Sequence, residues 1–235
     1  MTYDIVVSGG GIAGLAAAAA FGADGHSVLC LDPTPPVTDR DADGADLRTT
    51  AFLQPAQAFL DEIGLWARLQ GHAMPLQVMR IVDAGGEEPR ARVTKEFDAS
   101  DISDQPFGWN LPNWLLRREF VAHLDGLVTV TFRAGIGTTS LFTREAEARV
   151  GLSDGTKVRC KLVIAADGRN SPMRKAAGID IQTTRFGQKA LAFAVTHPIP
   201  HGNVSTEIHR TGGPFTFVPL PDLEGRPSSA IVRLE

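Results

Sequence analysis

Two short stretches carry the residue types that grip phosphates and sugar hydroxyls. In Val7-Ser8-Gly9-Gly10-Gly11-Ile12-Ala13-Gly14 the glycines Gly9, Gly11 and Gly14 follow a Gly-x-Gly-x-x-Gly spacing between an apolar run and an alanine-rich segment. The first glycine allows a tight turn, the second lets a pyrophosphate approach the backbone, and the third lets helix and strand pack closely. The helix opened by Ile12 and Ala13 presents free amides and the positive end of its dipole to an anion. In Val163-Ile164-Ala165-Ala166-Asp167-Gly168 a second apolar run ends in a carboxylate and a glycine, where an open α/β sheet binds ligands. Gly168 permits close backbone approach. Asp32, closing the run from Ser27, can accept hydrogen bonds from ribose hydroxyls and repel a 2′-phosphate. A nicotinamide dinucleotide has no use for a second such turn far downstream, whereas an extended FAD must be held again beyond its adenosine half.

The elements around these residues follow from periodicity. Residues 4–8 and 27–32 read as buried strands and 12–23 as a helix, a β-α-β unit suited to a parallel sheet. Residues 33–46 are rich in Pro, Asp and Gly and read as a loop. Helical spacing from Phe52 to Ile63 predicts a helix with Thr49 and Thr50 as N-caps and Gly64 as its end. Strands are expected at 76–83 and 91–97 around the turn at 83–89, a helix at 115–124, and strands near 127–132, 138–143, 147–152 and 161–166. Ser171 can cap a short helix that has Pro172 in its first turn. After Gly178 the pattern turns β-rich, with strands at about 182–197, 204–210, 214–220 and 228–234, which points to a second domain.

The chain has 235 residues, 43% hydrophobic and 21% charged, enough for one large or two modest domains with a substantial core. Its formal charge of -4, with scattered Lys and Arg, argues against a nucleic-acid partner. Cys30 and Cys160 lie in apolar runs without metal-ligand spacing, so they read as buried hydrophobes and no metal site is expected. No basic leader precedes the first strand, and the longest apolar stretch, from Ile12 to Phe21, is about half the roughly 20 residues of a transmembrane helix. A cytoplasmic location is expected, with any contact with the inner membrane peripheral.

The stretch Ala165-Ala166-Asp167-Gly168-Arg169-Asn170-Ser171-Pro172-Met173-Arg174 resembles the DG motif of the flavin-dependent aromatic hydroxylases, the class A flavoprotein monooxygenases. The resemblance places Asp167 near the FAD pyrophosphate and gives it a part in the response to NAD(P)H. Arg48, in Ala45-Asp46-Leu47-Arg48-Thr49-Thr50, resembles the family's arginine that precedes its second long helix and reaches the cofactor; read alone, it is a cation at a loop-helix junction or a solvated surface arginine. Arg117 resembles the family's arginine or glutamine beside the FAD, with the register between Arg117 and Arg118 open. Pro200-His201, Glu207, Gly213-Pro214 and Val218-Pro219-Leu220 resemble the corresponding region of the ubiquinone-biosynthesis hydroxylases, the UbiH/UbiF/VisC family; there the last motif is Leu-Pro-Leu. His201 reads as a turn residue rather than a general base, and Trp109 and Trp114 as packing. Phe215 and Phe217 share one sheet face, either as core or as part of an aromatic-substrate pocket.

This resemblance implies an α/β fold in which a Rossmann-like FAD-binding domain (1–75 and 105–180) joins a β-rich substrate domain (76–104 and 181–235), as in glutathione-reductase-type flavoproteins. It implies an FAD-dependent monooxygenase with NAD(P)H or another donor and O2 as co-substrates. Such an enzyme hydroxylates a lipophilic polyprenyl phenol through a C4a-hydroperoxyflavin, within or beside a biosynthetic complex. No catalytic base is nameable. The alternatives are a small-phenol hydroxylase or prenyl reductase of the same superfamily, or a non-catalytic subunit that binds a lipid or a partner; a plain NAD dehydrogenase ranks third. The family's later Gly-Asp motif has no counterpart after Gly178. The chain is therefore expected to be an amino-terminal portion with weak or absent FAD affinity.

Overall fold

The computed structural model describes residues 1–88 and 90–234; Pro89, in the turn expected at 83–89, and Glu235, the last residue of the expected substrate domain, lie outside the described residues. The chain forms two compact units. The first comprises Met1–Ala45, Ile63–Arg68 and Trp114–Thr183, and the second comprises Asp46–Glu62, Leu69–Asn113 and the chain from Thr184 onward.

In chain order the elements are β1 (Ile5–Ser8), α1 (Ile12–Ala23), β2 (Val28–Asp32), β3 (Thr49–Leu53), α2 (Gln54–Glu62), α3 (Trp66–Leu69) and β4 (Met74–Leu76). There follow β5 (Val78–Asp83), β6 (Val93–Asp98), β7 (Gly108–Pro112), α4 (Asn113–Leu124), β8 (Val130–Ala134), β9 (Thr138–Thr143) and β10 (Ala148–Leu152). The last are β11 (Lys157–Cys160), β12 (Leu162–Ala165), α5 (Pro172–Ala176), β13 (Ala190–Thr196), β14 (Val204–His209), β15 (Phe215–Leu223) and β16 (Arg226–Leu234).

In the first unit a parallel sheet has the order β12-β1-β2-β8. Val6, Val7, Val28, Leu29 and Cys30 are almost fully buried, as strands covered on both faces require. Burial also pushes the Cys30 thiol up to about 12, so it stays protonated and inert. The alanine-rich α1 packs closely through Gly14, Leu15, Ala18, Ala19 and Gly22. A side chain at Gly22 would strike Val130 of β8. An antiparallel sheet, β11-β10-β9, adds Val150, Leu152 and Val158 to a core shared with Val6, Leu29, Leu31 and Met173. Asp4 ties the starts of three strands together, accepting from the Ser27 amide (3.0 Å), the Ser27 hydroxyl (2.6 Å) and Lys161 (2.8 Å). Those donors hold its carboxyl far below the usual carboxylate range.

The second unit contains a six-stranded sheet, β13-β16-β15-β14-β5-β6, antiparallel except at β14/β5, and a small sheet, β3-β7-β4. Here the structure corrects the expected helix start. Thr49–Leu53 is a strand, with Thr49 opposite Pro112 and Thr50 opposite Leu111, so neither threonine caps a helix and α2 begins only at Gln54. β-branched residues suit a strand, and the partner that decides the matter lies far along the chain. Gly64, with φ +75°, follows the end of α2 in the left-handed conformation that glycine favours. The long run expected at 182–197 is a strand only over Ala190–Thr196. Among the described residues no helix is long and apolar enough to cross a membrane.

Candidate functional site

Register brings the two glycine-containing turns together. Ser8, the last residue of β1, lies opposite Ala165, the last of β12, so the chain leaves adjacent parallel strands at Gly9 and at Ala166-Asp167. Gly9 has φ +109°, and a Cβ there would collide with the Ala166 carbonyl. A Cβ on Gly14 would collide with the Gly9 carbonyl, whereas one on Gly11 would enter open space. The first and third glycines thus serve the packing of strand and helix, and the second faces room for a ligand. The N-terminus of α1 carries neither a side-chain cap nor an acidic residue in its first turn, which leaves its amides available to an anion.

Asp32 is positioned by backbone donors. Its Oδ2 accepts from the Gly10 amide at 2.6 Å and its Oδ1 from the Thr34 amide at 2.8 Å, which locks the carboxylate against the glycine-rich turn. Asp167 is held in a similar way on one side only. Its Oδ2 accepts from the Met173 amide at 2.9 Å and from Ser8 Oγ at 3.4 Å, while its buried Oδ1 has no hydrogen-bond partner among the described residues. Ser171 caps α5 as expected, accepting from the Arg174 amide at 2.9 Å, with Pro172 in the first turn.

A cleft of about 480 Å³ runs between these groups, lined by Gly9, Gly11, Asp32, Asp167 and Gly168, and also by Ser8, Pro33, Gly137, Thr138, Thr139 and Ser153. The structure therefore brings five of the expected residues around one cavity, with Ile12, Ala13 and Gly14 following directly on α1. The hydroxyl-bearing Ser8, Thr138, Thr139 and Ser153 were not singled out from the sequence. Ser8 offered a signal, a polar residue closing an otherwise apolar strand. The other three reach the cleft through long-range pairing and carried none.

The two arginines behave differently. Arg117 lies half-buried within α4 of the first unit. Its neighbour Arg118 hydrogen-bonds Glu119 at 2.8 Å and lies over the Trp114 ring, 5.4 Å from its centroid, so Arg118 is the surface member of the pair. Arg48 belongs to the second unit, where it makes a two-pronged pair with Asp46: Nε to Oδ1 and Nη2 to Oδ2, each at 2.7 Å. That fork, with a side chain 63% exposed, is a surface ion pair next to β3 rather than the helix-start cation expected.

The Arg48 guanidinium, helped by Asn113, holds the Asp46 carboxyl down at about 2, below its ordinary 3.8. A lowered folded-state value stabilises the protein above the unfolded value and loses that contribution as pH falls through the folded one. The stability difference between the wild type and Asp46→Asn is therefore expected to be constant above about pH 5 and to shrink below about pH 4, measured by urea unfolding across that range.

His201 is a turn residue. Its Nε2 donates to the Leu220 carbonyl at 3.2 Å and its Nδ1 accepts the Asn203 amide at 3.1 Å, which supports Asn203 at φ +60°. Both ring nitrogens are engaged, which leaves none for proton transfer. Replacement by alanine is expected to cost about 1–2 kcal/mol of stability by urea unfolding, with flavin binding unchanged. Phe215 and Phe217 meet edge to face at 4.9 Å and line a groove of about 430 Å³ in the second unit with Val82 and Ile208.

Comparison with known proteins agrees with this geometry. The model of the FAD binding domain family matches residues 2–227. The chain is 35% identical over 218 residues to the ubiquinone hydroxylase UbiL of Rhodospirillum rubrum, covering 93% of this chain and 49% of that protein. It is 28% identical over 222 residues to the 3-demethoxyubiquinol 3-hydroxylase of Escherichia coli, covering 93% and 55%. It thus spans about half the length of the curated relatives it matches. Its fold matches the crystal structure of the p-nitrophenol 4-monooxygenase PnpA from Pseudomonas putida with a TM-score of 0.79 at 21% identity, over 97% of this chain and 57% of that one. The mixed α/β architecture with a β-rich second unit is shared with that structure. Paired turns on adjacent strands and a family match over nearly the whole length lead to one conclusion: the chain belongs to the FAD binding domain family.

Proposed function

We propose that this chain forms the cofactor-binding part of an FAD-dependent monooxygenase that hydroxylates a polyprenylated aromatic ring in ubiquinone biosynthesis. The observation that carries the reading is the cleft at which the Gly9–Gly14 turn and the Asp167-Gly168 turn converge from adjacent strands. The open space at Gly11, the uncapped start of α1 and the buried Asp167 Oδ1 without a donor all fit a ligand with a pyrophosphate and hydroxyl groups. The names of the two hydroxylases above support the reaction class and the ubiquinone pathway.

In this reading the amides that open α1, from Ile12 and Ala13 onward, receive the pyrophosphate. Gly11 lets it approach, and Asp32 orients a ribose through the carboxylate that the Gly10 and Thr34 amides fix in place. Asp167 and Gly168 hold the ligand further along, and Arg117 is the cation of the first unit assigned to it. When bound, FAD supplies the redox chemistry, taking electrons from NAD(P)H or another donor and activating O2 for insertion into an electron-rich ring. The protein contributes position and exclusion of water, so no Ser-His-Asp or metal constellation is required. A lipophilic substrate accords with peripheral contact with a membrane or a biosynthetic complex.

The test is visible absorbance of the purified chain after incubation with FAD and gel filtration, followed by product analysis with a polyprenyl phenol, NAD(P)H and O2. Retained flavin and a ring-hydroxylated product support the proposal. Retention of a nicotinamide dinucleotide without any flavin overturns it.

A further inference from the structure

Ser8 and Thr138 are polar side chains in an apolar setting, 2% and 8% exposed. Ser8 closes β1 and Thr138 opens β9, and their hydroxyl oxygens lie 2.6 Å apart. Ser8 Oγ also reaches Asp167 Oδ2 at 3.4 Å. An ionised carboxylate only accepts, so the Ser8 proton points to Asp167, and the proton between the two hydroxyls must then come from Thr138. The result is a one-way chain from Thr138 to Ser8 to Asp167. The Met173 amide donates to the same Oδ2 at 2.9 Å. Among the described residues, the donors to this carboxylate thus converge on one oxygen, and the buried Oδ1 has none.

We propose that Ser8 and Thr138 are positioning residues: their hydroxyl chain holds the Asp167 carboxylate so that one oxygen caps α5 and the other is kept for a hydroxyl donor on the cofactor. The inference rests on the reading of the cleft as the FAD site. Neither hydroxyl is needed to complete a backbone ladder, and a pair of buried hydroxyls satisfied mainly by each other and one carboxylate has little stabilising value of its own. Its consequence is orientation. Without the chain, the Asp167 carboxylate can tilt away from the orientation that faces both the Met173 amide and the cleft, which weakens both the hydrogen bond to α5 and the arrangement facing the ligand.

The experiment compares wild type, Thr138→Val, Thr138→Ser and Ser8→Ala in the full 235-residue chain with two readouts. The first is hydrogen exchange of the Met173 amide without ligand, and the second is the FAD dissociation constant from flavin fluorescence. Thr138→Val and Ser8→Ala are expected to speed Met173 exchange and to weaken FAD binding about tenfold each, the equivalent of one net hydrogen bond. Thr138→Ser, which keeps the hydroxyl, is expected to stay within about twofold of wild type on both readouts. Unchanged Met173 exchange in Thr138→Val and Ser8→Ala overturns the proposal, as does a Thr138→Ser variant that behaves like Thr138→Val. Should the wild-type chain retain no FAD, Met173 exchange alone decides whether the hydroxyl chain orients Asp167.

Discussion

Gly11→Ala is expected to cost no more than about 1 kcal/mol of stability, the preference for glycine over alanine at the N-cap of α1, yet to bind FAD about five- to 150-fold more weakly. Its Cβ meets nothing within 4 Å, so no clash adds to that cost. The same Cβ projects into the cleft beside the open end of α1, where a phosphate must come close to the backbone, and crowding of that kind costs about 1–3 kcal/mol. Gly14→Ala makes the contrast. There the Cβ runs into the Gly9 carbonyl, which is backbone and cannot swing aside, so stability is expected to fall by more than about 3 kcal/mol, and flavin binding falls with it. Urea unfolding and flavin fluorescence titration on the two variants separate the roles. Wild-type affinity in Gly11→Ala would remove Gly11 from the site.

Asp167→Ala is expected to show the same pairing as Gly11→Ala, a small structural cost and a large functional loss. Removing the carboxylate deletes the cap on the Met173 amide, worth about 1 kcal/mol. It also removes a buried oxygen that has no donor in the unliganded chain, a burden of about 1–3 kcal/mol. The two nearly cancel, so unliganded stability is expected to change by less than about 2 kcal/mol in either direction. FAD binding, which in our reading supplies the missing donor, is expected to weaken by about ten- to a hundredfold, as for a charge-assisted hydrogen bond. Calorimetric melting with and without FAD checks both parts: the ligand-induced rise in melting temperature should nearly vanish in the variant. A variant as well protected by FAD as wild type would sink the assignment.

Much of the first unit was legible because its signals are local. An apolar run, three spaced glycines and an alanine-rich segment specify β1, α1 and β2 within the first 32 residues, and Asp32 and Asp167 each announce themselves by ending an apolar strand. Where the signal was non-local the reading failed. Thr49 and Thr50 look like helix caps until β7 is known to lie beside them, and Gly108–Pro112, with its Trp, Asn and Pro, does not alternate like a strand. The short β11 was missed, since only the run near 161–166, which holds β12, reads as a strand. Arg48, assigned by resemblance to a cofactor contact, pairs with Asp46, two residues earlier in the sequence. Thr138 could not have been found, since only the arrangement of β9 against the end of β1 brings it to Ser8.

The central place of β1 between β2 and β12 also sets a schedule for synthesis. One neighbour emerges from the ribosome almost at once, but the other is drawn from Leu162–Ala165, so the glycine-rich turn exists long before the aspartate that faces it. At about 5–20 residues per second, the nascent chain spends roughly 6–30 seconds with only half of the cleft in existence. During that interval the edge of β1 that β12 will cover is an unpaired strand edge, open to wrong partners. Early cofactor capture can therefore shield α1 and its turn on the growing chain, but it cannot close the sheet, and the step that commits this unit to its fold is the late arrival of β12.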